Sequence, residues 1–562
     1  MTQDPKPAFT PILLLAPALL ALLLFTWSMG HGDLLKREAR EGIPVVLMSQ
    51  GKGWLLPQIS ENRIRTKPPL YYWSALAASR VRGKVDEVSL RLPSVIAGVG
   101  TVFLTTLLGA WLFSPTAGAM AGFTLATGWR FSYLASHARV DMLFALFTTA
   151  AFLTLWKMME SEDPSVRSRW SWMASLMLGL AVLTKGPLGL LFPLLALALF
   201  RWISGRREYP VPWARLVLLP LAMTLVWVLG AYLEKGSAFQ AMIYEEIVGR
   251  LSGTEKIQVH KEPFYFYLPQ IFLDLAPWSL FLPAALWRGI RERRRDARWL
   301  YPALSFLLLI GFLSLFKGKR GDYLLPLYPM AALILADYFN RYRLPRAIKS
   351  AWEVRVPAGL LIFLFLSMVA VFLTPLFVPD LDAERYFRFL SPQDRWMANL
   401  LIQNHLPSRF ILAGATAVMI ALSISLFRFQ RRRWLEGIWI TVAFWSFLAL
   451  ALAHGPVAEV VNRYASMKPF AEEVAKTVGN QTLVHFGSPR EDLLYYLNRP
   501  VPELDGEAAF QFFEHHPESF VLAIKTWSDS LTTREPQRSV LLEMNRFDKS
   551  YRLIGPAIHQ SE

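Results

Sequence analysis

Apolar runs long enough to cross a bilayer follow one another through residues 1–453, about thirteen in all, more than any soluble core buries. Ile12 to Phe25, Trp172 to Leu183 and Leu188 to Phe200 are examples, built mostly from Leu, Ala, Ile and Val. The expected spans lie at roughly 10–28, 90–113, 116–136, 141–158, 170–184, 187–203, 213–233, 264–287, 299–316, 322–340, 354–378, 408–427 and 434–453. Hydrophobic residues make up 54% of the 562, a fraction a soluble protein can share; their concentration in runs is what decides for a membrane. Only Lys6 precedes the first run, and no small-residue cleavage site comes before Trp27, so this run is expected to be an uncleaved first span.

Charge sets the orientation. The chain has 59 Lys and Arg against 43 Asp and Glu, for a net charge of +16. The arginines gather between spans, as in Arg201–Arg215, Arg288–Arg298, Arg341–Arg355 and Arg428–Arg433. Counting spans puts all four groups on one side, which the positive-inside rule makes cytoplasmic. This pattern fits an anionic membrane surface and no nucleic acid. There is no cysteine, which excludes disulfides and thiolate metal sites. Lone histidines such as His260 read as surface residues. No obligatory metal is expected, and a need for a divalent ion stays open.

The opposite side then receives the long loop 29–89, the His137–Asp141 turn, the Lys185-Gly186-Pro187 turn and the Lys317–Asp322 turn. Ionisable groups against membrane spans are costly and usually mark a site, so these clusters are expected to converge on one external cavity. In Thr66-Lys67-Pro68-Pro69 the prolines break any incoming helix and hold Lys67 in extended backbone. Its ammonium is then available to a phosphate, or it is a lysine snorkelling from an interfacial helix. Tyr71, Tyr72 and Trp73 suit a membrane interface or the face of a sugar. Asp141 opens a span, where it can cap the helix or serve the cavity; Arg139 beside it favours the cavity. Asp274, inside an expected span, reads equally as a structural carboxylate.

Residues 454–562 change character. A helix at 467–477, a strand at 482–486, a helix at 491–497 and a strand at 520–524 predict a small α/β domain outside the membrane. The fold class expected is a mostly α, polytopic membrane protein, 1–453, followed by this extracytoplasmic domain, 454–562.

Several stretches resemble, in order, the lipid-dependent glycosyltransferases of the GT-C fold. They are Glu38-Ala39-Arg40, Gly53 to Pro57, Thr66 to Trp73, Arg91-Leu92-Pro93-Ser94, Ala138 to Leu143, Leu183 to Pro187, Pro263 to Pro269, Pro277-Trp278, and Lys319-Arg320 with Tyr323 to Pro326. The likeness is strongest to the bacterial branch related to protein O-mannosyltransferases, which includes the undecaprenyl-phosphate aminoarabinose:lipid A transferases. Where many of its members carry Asp-Glu, this chain has Arg37-Glu38. The resemblance implies an inner-membrane enzyme whose site faces the periplasm. It would move a sugar from a polyprenyl-phosphate donor, with inversion, onto lipid A or another envelope glycoconjugate. It also implies roles. Glu38, or Asp33 in its place, and Asp141 would supply the acids. Lys67, then Arg65, Lys185, Lys319 and Arg320, would stabilise the departing phosphate, with Tyr71, Tyr72 and Arg139 lining the substrate. A transporter or flippase would instead show two related halves and midplane charges, and no halves repeat here. A protein O-glycosyltransferase would share the fold.

Overall fold

A computed structural model describes residues 11–556, apart from 28, 31, 61–62, 207–209, 237–238, 241–261, 317, 349, 378–394, 396–408, 488–489, 500, 505 and 547–548. His260, Lys261 and Lys317 lie outside the described residues. The first ten helices are α1 (Pro11–Trp27), α2 (Lys36–Ser49), α3 (Leu70–Arg82), α4 (Glu87–Leu112), α5 (Pro115–Ala126), α6 (Trp129–Ala135), α7 (Val140–Glu160), α8 (Pro164–Lys185), α9 (Leu188–Ser204) and α10 (Trp213–Lys235). Side-chain caps start several of them. Asp86 and Ser89 form a reciprocal capping box on α4, while Ser114 caps α5 and Asp163 caps α8. The Lys185–Pro187 turn is tight because Gly186 takes a φ of +90°.

Six described helices are long and apolar enough to cross a membrane, α4, α7 and α10 among them; α1 and α9 are shorter apolar helices. Three of the expected spans are interrupted. The run 116–136 breaks at Thr127-Gly128 between α5 and α6. The run 264–287 splits into Tyr267–Asp274, a tight turn at Trp278–Phe281 and Leu282–Arg293. The run 322–340 starts with a 3-10 turn, Gly321–Leu327, before Tyr328–Arg341. Such breaks are tolerated at membrane depth where neighbouring protein satisfies the freed backbone. Here Thr127 receives a hydrogen bond from the Trp278 indole at 3.0 Å, so one break braces another.

Small residues bring α4 and α5 together. A Cβ on Gly118 would lie 2.3 Å from the Thr106 carbonyl oxygen and 2.7 Å from the Ala110 nitrogen, both backbone atoms that cannot step aside. Gly118→Ala is therefore expected to lower stability by about 1–3 kcal/mol, the usual cost of overpacking, read as a fall in unfolding temperature in detergent. An aromatic cluster fills the core further along. The Tyr301 ring lies 5.1 Å from Trp156 and 5.2 Å from Phe200, and its hydroxyl donates to the Phe152 carbonyl at 2.8 Å.

Two arginines of the basic loops also join helices. Arg288 grips Glu353 through Nε at 2.8 Å and Nη2 at 2.9 Å, and Arg293 donates to Asp337 at 2.7 Å.

Loop 29–89 is ordered structure. It holds α2, a two-stranded hairpin of β1 (Gln58–Ser60) and β2 (Arg63–Ile64), and α3. The chain leaves the last long apolar helix, Leu435–Leu452, without a break: a π turn at Ala453–Val457 carries it into Ala458–Ala465. Beyond lies a five-stranded mixed sheet of β3 (Leu483–Phe486), β4 (Glu503–Leu504), β5 (Phe520–Ile524), β6 (Val540–Arg546) and β7 (Lys549–Ile554), ordered β4-β3-β5-β7-β6. Its first three strands in space are parallel, and β7 and β6 run antiparallel. Helices Lys468–Val478 and Glu491–Leu497 pack near loop 29–89. Lys468 bridges Asp33 at 3.3 Å and Glu87 at 3.5 Å, and the Tyr496 hydroxyl accepts from the Leu34 amide at 2.6 Å while donating to Glu87 at 3.0 Å.

Candidate active site

Helix α2 carries two buried glutamates one turn apart, and they face different partners. Glu38 is 3% exposed. Its Oε1 accepts from Arg91 Nε at 2.9 Å and from the Ala138 amide at 2.8 Å, and its Oε2 accepts from Arg91 Nη2 at 2.8 Å. Burial alone would raise this carboxyl. The Arg91 guanidinium, His137 and the Ala138 amide outweigh burial and hold it at about 2. Arg91 also donates to the carbonyls of Met29, Gly32 and Asp33, so the pair ties loop, α4 and the His137 turn into one unit.

Glu41 has a different set of partners. Its Oε1 accepts from Arg65 Nη2 at 2.6 Å and Lys67 Nζ at 3.0 Å, and its Oε2 accepts from the Tyr72 hydroxyl at 2.6 Å. Arg65 Nε in turn donates to the Tyr72 hydroxyl at 3.2 Å. Burial works against the ionised form of Glu41, but Arg65, Lys67 and the Tyr72 hydroxyl hold it well below the usual carboxylate range. Burial pushes the Lys67 ammonium down, with Arg65 adding to the push and Glu41 and Asp141 opposing it. Lys67 keeps 29% of its side chain exposed while Arg65 keeps 7%, so the lysine is the member of the cluster open to a ligand. The backbone bends at Thr66-Lys67, between the hairpin and Pro68-Pro69, where an extended segment was expected.

Asp141 sits in the first turn of α7 and is 6% exposed. Lys185, from the end of α8, donates to its Oδ1. The same ammonium lies 4.7 Å from the centre of the Tyr323 ring and 5.3 Å from that of Phe144. Asp141 is one of the charges acting on Lys67, so the first loop and the start of α7 share one electrostatic neighbourhood. Beside it Arg130 of α6 pairs with Asp322. Asp274 accepts from the Tyr328 hydroxyl at 2.7 Å and Gln270 at 2.8 Å, which makes it a satisfied carboxylate.

The structure thus brings together Lys67, Arg65, Tyr72, Asp141 and Lys185, with Arg139 adjoining. Four other residues expected at the site, Glu38, Tyr71, Lys319 and Asp33, have partners elsewhere. Glu38 has both oxygens engaged by Arg91 and a backbone amide, so it anchors the loop and leaves the acid facing Lys67 to be Glu41. Tyr71 is fully buried and donates to the Leu90 carbonyl at 2.8 Å, so it packs the loop on α4. Lys319, 3% exposed, donates to the carbonyls of Glu262 at 3.0 Å and Phe316 at 2.5 Å, so it ties its own turn to the segment at Glu262. Asp33 is held by Lys468 and Ser466 in the contact with the outer domain. Arg320 is exposed at the start of the Gly321–Leu327 turn and acts on Arg40 by charge alone. Glu41, Arg91, Arg130 and Asp322 are functional candidates that no role was assigned to from sequence. Glu41 falls at i+3 from Glu38, the spacing that places two residues on neighbouring positions of one helix face. Among the described residues, no three His, Asp or Glu side chains are grouped as a metal site would need.

Comparison with known proteins agrees with this architecture. The sequence family described as dolichyl-phosphate-mannose-protein mannosyltransferase matches residues 49–232. An undecaprenyl phosphate-alpha-4-amino-4-deoxy-L-arabinose arabinosyl transferase of Pseudomonas fluorescens is 29% identical over 54% of this chain and 54% of its own length. The enzyme of that name from Pseudomonas aeruginosa (strain LESB58) is 28% identical over 70% of this chain and 72% of its own. The chain thus spans about half the length of the first of these relatives. The crystal structure of ArnT from Cupriavidus metallidurans, bound to undecaprenyl phosphate, superposes with a TM-score of 0.75 at 17% identity, covering 96% of this chain and 97% of that one.

Proposed function

We propose that this chain, which has the GT-C fold and is related to the aminoarabinose transferases and the protein O-mannosyltransferases, moves a sugar from a polyprenyl-phosphate donor to a cell-envelope acceptor. It is a membrane glycosyltransferase that depends on a lipid-phosphate sugar. The donor is an undecaprenyl-phosphate-linked sugar, with 4-amino-4-deoxy-L-arabinose the nearest candidate and lipid A the acceptor, on the periplasmic face of the inner membrane. The observation that carries this reading is the half-open ammonium of Lys67, seated on a buried Glu41–Arg65–Tyr72 frame and within the field of Asp141.

The chemistry follows from that geometry. The bond between the sugar's anomeric carbon and the lipid phosphate breaks, and the phosphate leaves with the electron pair. An acceptor oxygen forms the new bond from the opposite face, giving inversion. The leaving group gains negative charge as it departs, so the site needs fixed cations more than a general acid. Lys67 and Lys185 are placed to supply them, and Arg65 holds Glu41 so that Lys67 keeps its direction. An acceptor phosphate is already ionised and needs only orientation. An acceptor hydroxyl must lose a proton, and Asp141, which takes the Lys185 ammonium on Oδ1, is the carboxylate to receive it.

The test is transfer by the purified full chain in lipid nanodiscs, supplied with undecaprenyl-phosphate aminoarabinose and lipid A and read by mass spectrometry of the acceptor. Modified acceptor and free undecaprenyl phosphate are expected in equal amounts. Asp141→Asn is expected to slow transfer by about 10²- to 10⁴-fold with a hydroxyl acceptor, the usual range for losing a positioned base. Absence of transfer to any envelope acceptor, with movement of the intact lipid across the bilayer instead, would replace this reading by that of a flippase.

A further inference from the structure

Arg139 is 8% exposed, and none of the described residues accepts a hydrogen bond from its guanidinium; Nε is buried without a partner. Three carboxylates act on it by charge: Asp322, Asp141 and Glu38. Each already has another cation. Asp322 pairs with Arg130, Asp141 with Lys185 and Glu38 with Arg91. Only its backbone is tied down, through reciprocal bonds with Ser94 at 2.9 and 3.1 Å. Those carboxylates answer its charge but take no hydrogen bond from its guanidinium, so its donors are left to an anion entering from outside. Its five donors form a planar fork that matches a phosphate with two parallel hydrogen bonds. It also lies at the N-terminus of α7, a helix of 21 residues, where the backbone dipole favours negative charge.

We propose that Arg139 is a phosphate-binding seat in its own right, separate from the one at Lys67, which already shares Glu41. The inference rests on the reading of the chain as a lipid-phosphate glycosyltransferase. Its ligand is a phosphate ester, either that of the polyprenyl lipid or that of a phosphorylated acceptor. The fixed backbone and free fork make it a positioning element: it holds one phosphate still while the other is made or displaced beside Asp141 and Lys67.

The experiment uses the full chain in nanodiscs and the variants R139M, R139K and, as a control for lost charge, R534M at an exposed position. The probes are inorganic phosphate, undecaprenyl phosphate, and lipid A with and without its phosphates. Without ligand, R139M is expected to unfold close to the parent's temperature, because the side chain gives up no hydrogen bond to the described residues. Added phosphate should stabilise the parent and R534M but not R139M. Binding of one phospholipid should weaken about tenfold or more in R139M, with partial recovery in R139K. Loss for undecaprenyl phosphate alone makes this the donor's seat. Loss for lipid A, matched by the dephosphorylated form in the parent, makes it the acceptor's. Undiminished binding of every probe by R139M overturns the proposal, as does an R139M that unfolds well below the parent without ligand. A parent stabilised by inorganic phosphate through Arg139 but inert as a transferase would keep the seat and remove the enzymatic reading. A parent active as a transferase, with R139M binding all probes equally, would do the reverse.

Discussion

Lys67→Met lowers sugar transfer by about 10²- to 10³-fold, the range seen when one group stabilising a developing anion is removed. The protein stays folded, because Glu41 keeps Arg65 at 2.6 Å and the Tyr72 hydroxyl at 2.6 Å when Lys67 is gone. Lys67→Arg restores part of the rate: the charge returns, but the larger fork does not fit the ammonium's place on Glu41. Single-turnover transfer measured by mass spectrometry, beside the unfolding temperature of each variant, separates the two effects. Equal turnover in parent and Lys67→Met would remove this lysine from the chemistry and with it the seat for the departing phosphate.

Glu38→Ala acts on stability first. It leaves Arg91 buried at 4% exposure without its carboxylate, and loss of one partner of a buried pair costs about 3–5 kcal/mol. The pH dependence has a definite sign. Glu38 in the folded chain is depressed to about 2 from an ordinary 4.5, so the stabilisation is fully present above pH 4.5 and is lost as pH falls toward 2. The change is worth roughly 3 kcal/mol at neutral pH. Unfolding temperatures of parent and Glu38→Gln should therefore converge at low pH and separate above it. The double variant Glu38→Leu with Arg91→Met should recover only part of the lost stability, since an apolar pair can replace a buried ion pair but leaves the Met29, Gly32 and Asp33 carbonyls and the Ala138 amide without their partners. A Glu38→Gln protein that unfolds like the parent at neutral pH but cannot transfer sugar would instead make Glu38 a base.

The apolar runs showed where most helices lie, since hydropathy reports burial in lipid directly. Helices Glu491–Leu497 and strand Phe520–Ile524 fall where periodicity and β-branched content put them. The interrupted spans were less legible. A Thr127-Gly128 break becomes visible only when Trp278, distant in sequence, is seen to support it. At the site, Pro68-Pro69 marked the break between the hairpin and α3, because proline cannot continue a helix from upstream, while the bend at Thr66-Lys67 took the place of the expected extended backbone. The choice between Glu38 and Glu41 could not be read that way. Both belong to one short helix, and their roles are set by Arg91, 53 residues beyond Glu38, and by Arg65, 24 residues beyond Glu41. Tyr71 and Tyr72 show the same limit. They are adjacent, yet one turns to the Leu90 carbonyl and the other to Glu41, a division that only the packing of α2, α3 and α4 decides. Lys319 sits in a motif that suggested a ligand, while its ammonium ties its own turn to the segment at Glu262 by binding two carbonyls.

The unbroken passage from Leu435 through Ala465 gives the outer sheet a stiff mast rather than a tether. At its head, Lys468 and Tyr496 clasp Asp33, Leu34 and Glu87, the two ends of the segment that displays Lys67. That segment is consequently strung like a bow between α1 and α4 and pinned from above at both tips. A tilt of the mast would be felt at Lys67, although none of the described residues of the sheet touches that lysine's partners Glu41, Arg65 and Tyr72.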